Sequence, residues 1–319
     1  MRNRNNRVAA AIFFMVVGAL LCGFSFGVLG FDFKGPGAGK YVTNTYETGD
    51  EFADIKIAGD MEKITFIPAE DSECRVVCYE DENDPHHVRV ENGTLTIDRL
   101  NPARWHLTIG FITESPTITV YLPKDVYRKL MIDADTGDVE IPRDFSFDSI
   151  GIILDTGDVD CFASASNDID IRTDTGHIKV AGVTAAGLRL KSDTGRMELE
   201  DVGISGDMDL KEGTGKTILD NVSCRNFISN GSTGSLVMTD TTALGEFNLE
   251  RNIGDIEFHG CDAEKIYVKT DTGDVTGTLL TEKVFITKTD TGKVDVPETS
   301  SGGRCEIKTD TGNIRIRIQ

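Results

Sequence analysis

The sequence predicts an all-β chain: a β-solenoid of about ten coils, preceded by a β-rich N-terminal region and one transmembrane helix. Three observations carry this. From Leu130 onward a glycine, mostly within Thr-Gly, recurs every 19 or 20 residues at Gly137, Gly157, Gly176, Gly195, Gly215, Gly234, Gly254, Gly273, Gly292 and Gly312. Apolar residues stand at fixed offsets from each of these glycines. The 24 residues from Val8 to Phe31 contain no charged side chain.

Residues 1–7 carry Arg2, Arg4 and Arg7 and no acid. Residues 8–31 would extend about 36 Å as a helix, against a hydrocarbon core of about 30 Å. The arginines precede the span, so residues 1–7 are expected in the cytoplasm and everything after Phe31 outside it, on a single-pass protein of the cell membrane. A cleaved signal peptide wants a shorter apolar run and a small-x-small site, and "GFSFGVLGFDF" offers none. A lipoprotein would use Cys22, but Leu21 directly before it makes a poor lipobox. An uncleaved anchor fits best. Residues 32–44 are rich in Gly and read as a linker. Residues 45–127 hold strand-like runs with no fixed period, namely "ADIKIAG", "KITFIPA", "CRVVCYE", "LTIDRL" and "ITVYLPK". They form either a cap on the solenoid or a separate β domain.

Residues 128–319 are the repeat. Seven before each glycine stand residues such as Leu130, Ile150, Ile169 and Phe247, and five before stand Ile132, Ile171 and Leu190. Two after stand Val139, Ile178 and Met197, and four after stand Ile141, Val180 and Leu199. Each pair of columns is two residues apart, the strand period. Every coil therefore has a strand, a turn and a second strand, both aimed at one interior. Ser229, Thr287 and Thr217 interrupt the aliphatic columns.

The turn is the tripeptide Asp-Thr-Gly, written seven times: Asp135 with Gly137, Asp155 with Gly157, Asp174 with Gly176, Asp193 with Gly195, Asp271 with Gly273, Asp290 with Gly292 and Asp310 with Gly312. Gly213, Ser232 and Asn252 replace the Asp in the three middle coils. All these residues form turns, and the replacements carry no charge while keeping turn chemistry, so the ladder is read as structural, its Asp side chains accepting from backbone N–H groups two residues on. Calcium is the competing reading, because Asp135, Asp138, Asp155 and Asp158 would stack, as would Asp271 and Asp274. The residue after the glycine varies, however, with His177, Arg196, Lys216 and Lys293 in other coils, and the nonapeptide of calcium-binding β-rolls is absent. No metal or cofactor is therefore expected. Three residues after the glycine the outward column is largely acidic, and Ile218 with Val237 interrupts it as an apolar spot for a partner.

A net charge of −20 argues against nucleic-acid binding. Seven scattered cysteines make no disulfide framework, and Cys74 and Cys78 in one strand read as small core fillers. His86 and His87 read as part of a turn-like loop. No zincin, P-loop, Cys-x-x-Cys or Gly-x-Ser-x-Gly element accompanies the five histidines, so an enzyme is not expected.

On "ITVYLPKDVYRKLMIDADTGDVEI" and the recurrent "TDTGDV" and "TDTGNI", the chain resembles a bacterial family of putative-adhesin β-strand repeats, a domain of unknown function whose LiaG-like members carry a membrane anchor. That resemblance implies an extracytoplasmic β-solenoid, in some members linked to the response to envelope stress, and it supplies no catalytic residues. The expected function is a binding or scaffold protein of the cell envelope, its partner an envelope protein, a peptide or a wall polymer. A surface adhesin is the alternative, and a polysaccharide-acting β-helix enzyme a more distant one. The short linker favours the first, because an adhesin crossing a thick wall wants a longer stalk. The chain stops at "NIRIRIQ" directly after the tenth turn, which predicts an uncapped final strand. Arg315 and Arg317 are expected to guard that edge or to serve end-to-end self-association.

Overall fold

The computed structural model describes residues 40–99 and 115–319. The predicted anchor at 8–31 lies outside them. Among the described residues no helix is long and apolar enough to cross a membrane, and all regular structure is β.

The periodic part is a solenoid of about ten coils, numbered here 1 to 10 by their glycines from Gly137 to Gly312. Like strands stack in parallel and in register: Ile150 on Leu130 and on Ile169, Val159 on Val139 and on Ile178. The four predicted columns point inward, joined by more. Three residues before each glycine a further side chain turns in, as Leu154, Thr173 and Ser192 do. Beyond the second strand Val183, Val202 and Val222 also reach the core. A second corner makes this return possible. Gly182, Asp201, Asn221, Asp240 and Gly260, each six after the turn glycine, adopt positive φ between 46° and 66°. Asn, Asp and Gly tolerate that conformation best.

Residues in the 45–127 stretch continue the stack. Asp54–Gly59 pairs in parallel with coil 1 through Ile55 on Leu130, and Lys63–Pro68 pairs through Ile64 on Val139. Thr94–Arg99 and Thr117–Leu122 then lie in parallel on those two strands. Antiparallel strands close this end: His86–Glu91 on the first, Cys74–Asp81 on the second, and Tyr41–Thr48 on Cys74–Asp81. The strand from Tyr41 begins inside the stretch read as linker. His86 opens a strand and is buried, where a loop was expected.

At the other end the order in space departs from the order in sequence. Coil 10 lies between coils 8 and 9: Cys305 pairs with Ile266 on one side and Phe285 on the other, and Ile314 pairs with Val275 and Val294. The predicted uncapped C-terminal strand is therefore internal, with Ile307, Ile314 and Ile316 fully buried. Coil 9 is the outer layer. Val294, expected inside, is exposed because nothing stacks on it, and Val284 and Ile286 of the same coil are exposed too. Arg315 and Arg317 do not guard a free edge. They pair with Asp295 of the neighbouring coil 9.

Candidate ligand cleft

The regular turn explains its own sequence. Each turn glycine after Gly137 sits directly over the carbonyl of a glycine in the adjoining layer, so that a Cβ at Gly157, Gly176 or Gly195 would lie inside the van der Waals shell of that oxygen. The first Thr of "TDTG" turns inward and its hydroxyl donates to that carbonyl: Thr173 to Gly157 at 3.2 Å, Thr270 to Gly254 at 3.3 Å, Thr309 to Gly273 at 3.1 Å. Ser192 does the same toward Gly176 at 3.2 Å.

The predicted Asp column lies outward. Asp193, Asp271 and Asp290 pair with Lys191, Lys269 and Lys288 at 3.0, 4.0 and 2.9 Å. Burial, then the nearby Asp60 and Asp155 carboxylates, push Asp135 above the usual range. The side chains that accept backbone N–H groups are those one after the glycine. Asp138 accepts from Asp158 N–H at 3.0 Å, Asp158 from His177 N–H at 2.7 Å, and His177 Nδ1 from Arg196 N–H at 2.9 Å. The series resumes at Asp255, Asp274 and Asn313. A histidine or asparagine serves as well as an aspartate, so this ladder runs on acceptor atoms and needs no cation.

Coils 5, 6 and 7 break that economy together. Where Thr or Ser stands three before the glycine in coils 3, 4, 8, 9 and 10, they carry Glu212, Gly231 and Arg251. Both charged residues are buried. Arg251 leans across the space that Gly231 leaves, since a Cβ on Gly231 would come within 2.7 Å of the guanidinium. Its Nη1 donates to Glu250 O at 2.9 Å and its Nη2 to Ser229 Oγ at 3.1 Å, with Glu212 Oε2 at 3.9 Å. Glu212 Oε2 accepts from Thr217 Oγ1 at 2.8 Å. Ser229 and Thr217, polar exceptions in aliphatic columns, thus serve the ion pair. Burial raises the Glu212 carboxyl above its usual range, against the Thr217 hydrogen bond and Arg251. Burial lowers Arg251, against Glu212.

Two buried atoms remain without partners here, Glu212 Oε1 and Arg251 Nε. Glu212 lies in the wall of an open cleft of about 310 Å³, with Lys211, Gly213, Asn230, Ser232 and Asn252 around it. Three of those are the residues that displace the repeat's Asp or adjoin it, and their shorter or uncharged side chains shape the opening. The rim adds Lys191, Asp193 and Glu250, so the lining holds both charges together with amides and a hydroxyl. Such a surface suits a small ligand that both donates and accepts hydrogen bonds.

The predicted apolar spot belongs to the same coils. Ile218 and Val237 pair directly, with Glu198 below and Glu257 above, and both are half-buried. The missed residues, Glu212 and Arg251, had one signal in the sequence: charge in a column that otherwise holds Thr, Ser, Gly, Ala and Leu.

A family model described as Toastrack DUF4097 matches residues 52–214 and 203–319, and the chain belongs to that family. Among solved structures, the chain is similar to a putative adhesin from Bacteroides fragilis, at 16% identity over 87% of this chain and 97% of the other with a TM-score of 0.41. A putative adhesin from Parabacteroides distasonis matches at 13% identity over 86% and 98%, with a TM-score of 0.44. A putative lipid binding protein from the same species matches at 15% identity over 86% and 97%, with a TM-score of 0.38. No curated protein matches the sequence.

Proposed function

We propose that this Toastrack-family chain is a non-catalytic binding and scaffold protein of the bacterial cell envelope. Residues 8–31 tether it to the membrane, the solenoid stands outside, and coils 5 to 7 hold its ligand. One observation carries the reading. Three successive coils lack the Thr or Ser hydroxyl that pairs with the glycine carbonyl in coils 3, 4, 8, 9 and 10, and leave a buried oxygen of Glu212, a residue that lines the cleft, unpartnered. Local departures from an otherwise consistent repeat are where function is expected. Stability alone would favour the repeat's own Thr or Ser at positions 212 and 251, because a buried ion pair is weak evidence of stabilisation. The mixed lining favours a neutral, hydroxyl- and amide-bearing group, as a wall polymer presents. A role in the envelope-stress response would follow if the bound polymer reports wall integrity.

The test is a photo-crosslinking amino acid placed at Ser232 in the full chain, with capture in intact host cells. Wall polymer or membrane-envelope components, captured there and lost in Asn252→Asp, are the expected result. Foreign surface molecules would favour an adhesin. Capture no stronger than from a crosslinker at Asp174, in a regular coil, would overturn the cleft as the binding site.

A further inference from the structure

The closed N-terminal end holds a second departure from apolar packing, independent of the cleft. Cys78 and Glu80 stand two residues apart on Cys74–Asp81 and face the interior together. His86 opens the next strand and folds over them. Cys78 Sγ, a Glu80 carboxylate oxygen and a His86 ring nitrogen all lie within 4.8 Å of one another, and all three residues are buried. No other group of three such residues occurs among the described residues.

The surroundings orient each ligand atom. His86 Nδ1 contacts Glu80 Oε2 directly. His86 Nε2 points the other way, toward Glu62 Oε1 at 3.4 Å, and lacks a well-formed hydrogen bond. Glu62 is itself fixed by Arg99 and by the N–H groups of Asp60 and Met61 at 2.6 and 3.0 Å. Glu80 Oε1 accepts from Asn44 at 2.6 Å and from the Tyr46 hydroxyl at 3.0 Å. A metal-bound imidazole normally turns its other nitrogen to a carboxylate, and a ligating carboxylate is normally held by hydrogen bonds on its second oxygen. Both supports stand here.

We propose that Cys78, Glu80 and His86 bind one zinc ion, with Glu62 as the positioning residue behind His86. One sulfur, one imidazole nitrogen and one carboxylate oxygen form a donor set that suits zinc and excludes calcium or magnesium, which take oxygen alone. Three protein donors leave one tetrahedral position for water. The charges close: a Cys78 thiolate and the Glu80 carboxylate neutralise the dication, while Glu62 pairs with Arg99. Binding expels two protons to solvent, that of the Cys78 thiol and that of the His86 imidazolium, and the bound imidazole is neutral. Because the ligands are buried, the ion enters as this end folds. The metal then ties together the two antiparallel strands, Cys74–Asp81 and His86–Glu91, that cover the last parallel layer. The competing state of the same atoms is an imidazolium held between Glu80 and Glu62 with no metal.

The full chain, purified in detergent from zinc-supplemented medium, is expected to carry about one zinc per chain by elemental mass spectrometry. Cobalt-grown protein is expected to show a thiolate-to-cobalt charge-transfer band. Cys78→Ser should abolish that band and Cys74→Ser should keep it. Glu62→Gln should weaken zinc about 10- to 100-fold in competition with a chromophoric chelator, while the exposed His87→Gln leaves it unchanged. Folded wild-type protein without a stoichiometric transition metal would overturn the site, and this holds even if Cys78→Ser fails to fold. A cobalt band that survives in Cys78→Ser would overturn the ligand set, and stoichiometric copper or iron would overturn the choice of ion.

Discussion

Coils 2 to 4 and coils 5 to 7 share a backbone and differ in what they do with polar atoms. In the first group Thr173 and Ser192 close the turns of coils 3 and 4 onto the glycine below, Leu154 of coil 2 packs in the same column, and Asp158 and His177 after the glycine accept the next layer's N–H. Among the described residues no buried side-chain atom of these coils is left without a partner. In the second group the same inward column holds Glu212, a gap at Gly231 and Arg251, and two buried atoms are left without partners. The difference teaches that the regular repeat satisfies its own polar atoms, and that buried polar atoms are left over where the Asp-Thr-Gly is interrupted.

The most severe way to break the comparison is at a glycine of the regular group. Gly195→Val would drive a side chain into the Gly176 carbonyl, on a backbone that cannot retreat because both neighbours are hydrogen-bonded across the stack. A loss of about 4–5 kcal/mol or more is expected, read as a lower urea midpoint or as loss of folded protein. A value near zero would mean that layers slide apart freely, and would remove the close approach as the reason for glycine.

The second way acts on the irregular group. Arg251→Met strands Glu212 in the interior and should cost about 3–5 kcal/mol. The triple change Glu212→Thr, Gly231→Thr and Arg251→Thr restores the regular column, and removing Arg251 frees the space beside position 231. It is expected to be neutral or to stabilise by about 1–4 kcal/mol, while Ser232 crosslinking is lost. A triple variant that melts well below the wild type would show that the ion pair is there for stability and would weaken the ligand reading.

Much of this was legible in the sequence. The period placed the strands, and the offsets placed the aliphatic interior, because a stacked solenoid gives every coil the same neighbours. The same uniformity hid the position of coil 10. Cys305, Ile307 and Ile314 present the inward set that any coil presents, so the chain can skip a layer and return to fill it without a mark in the pattern. At the other end Glu62 occupies the place that glycine holds in the periodic part, beneath Gly137, and the period could not be extended past it. The cleft was half legible. Gly213, Ser232 and Asn252 were visible as substitutions, but their chemistry as turn formers concealed that Glu212 and Arg251 face inward one residue earlier. The cluster of Cys78, Glu80 and His86 joins a strand to the start of the next across a turn, and no repeat register relates them.

A smaller effect sharpens the regular side. Thr173→Val keeps the shape and removes the hydroxyl that donates to Gly157 O. About 0.5–1.5 kcal/mol is expected, and Thr270→Val should match it in coil 8, since the bond recurs there at nearly the same length. Unequal costs in urea titrations of the two variants would show that the hydroxyl ladder is not a property of the repeat.

The smallest effect is also the most specific to the irregular side, because it depends on the protonation of one carboxyl. Burial holds the Glu212 proton more tightly in the folded chain than in the unfolded one, so its folded value lies above the ordinary 4.5. Below the ordinary value both states are protonated and Glu212 contributes nothing. As pH rises past it, the unfolded chain ionises first and stability falls, by at most about 1.4 kcal/mol per pH unit, until the folded group ionises too. Glu212→Gln cannot titrate, and it leaves Arg251, Lys211 and Glu250 in place, so their contributions cancel in the difference between variant and wild type. Unfolding free energies measured from about pH 4 to pH 7 should therefore show the wild type losing ground to the variant as pH rises. Parallel curves would mean that Glu212 sits folded and unfolded with the same affinity for its proton, as a solvated side chain would, and the buried acceptor in the cleft wall would lose its physical basis.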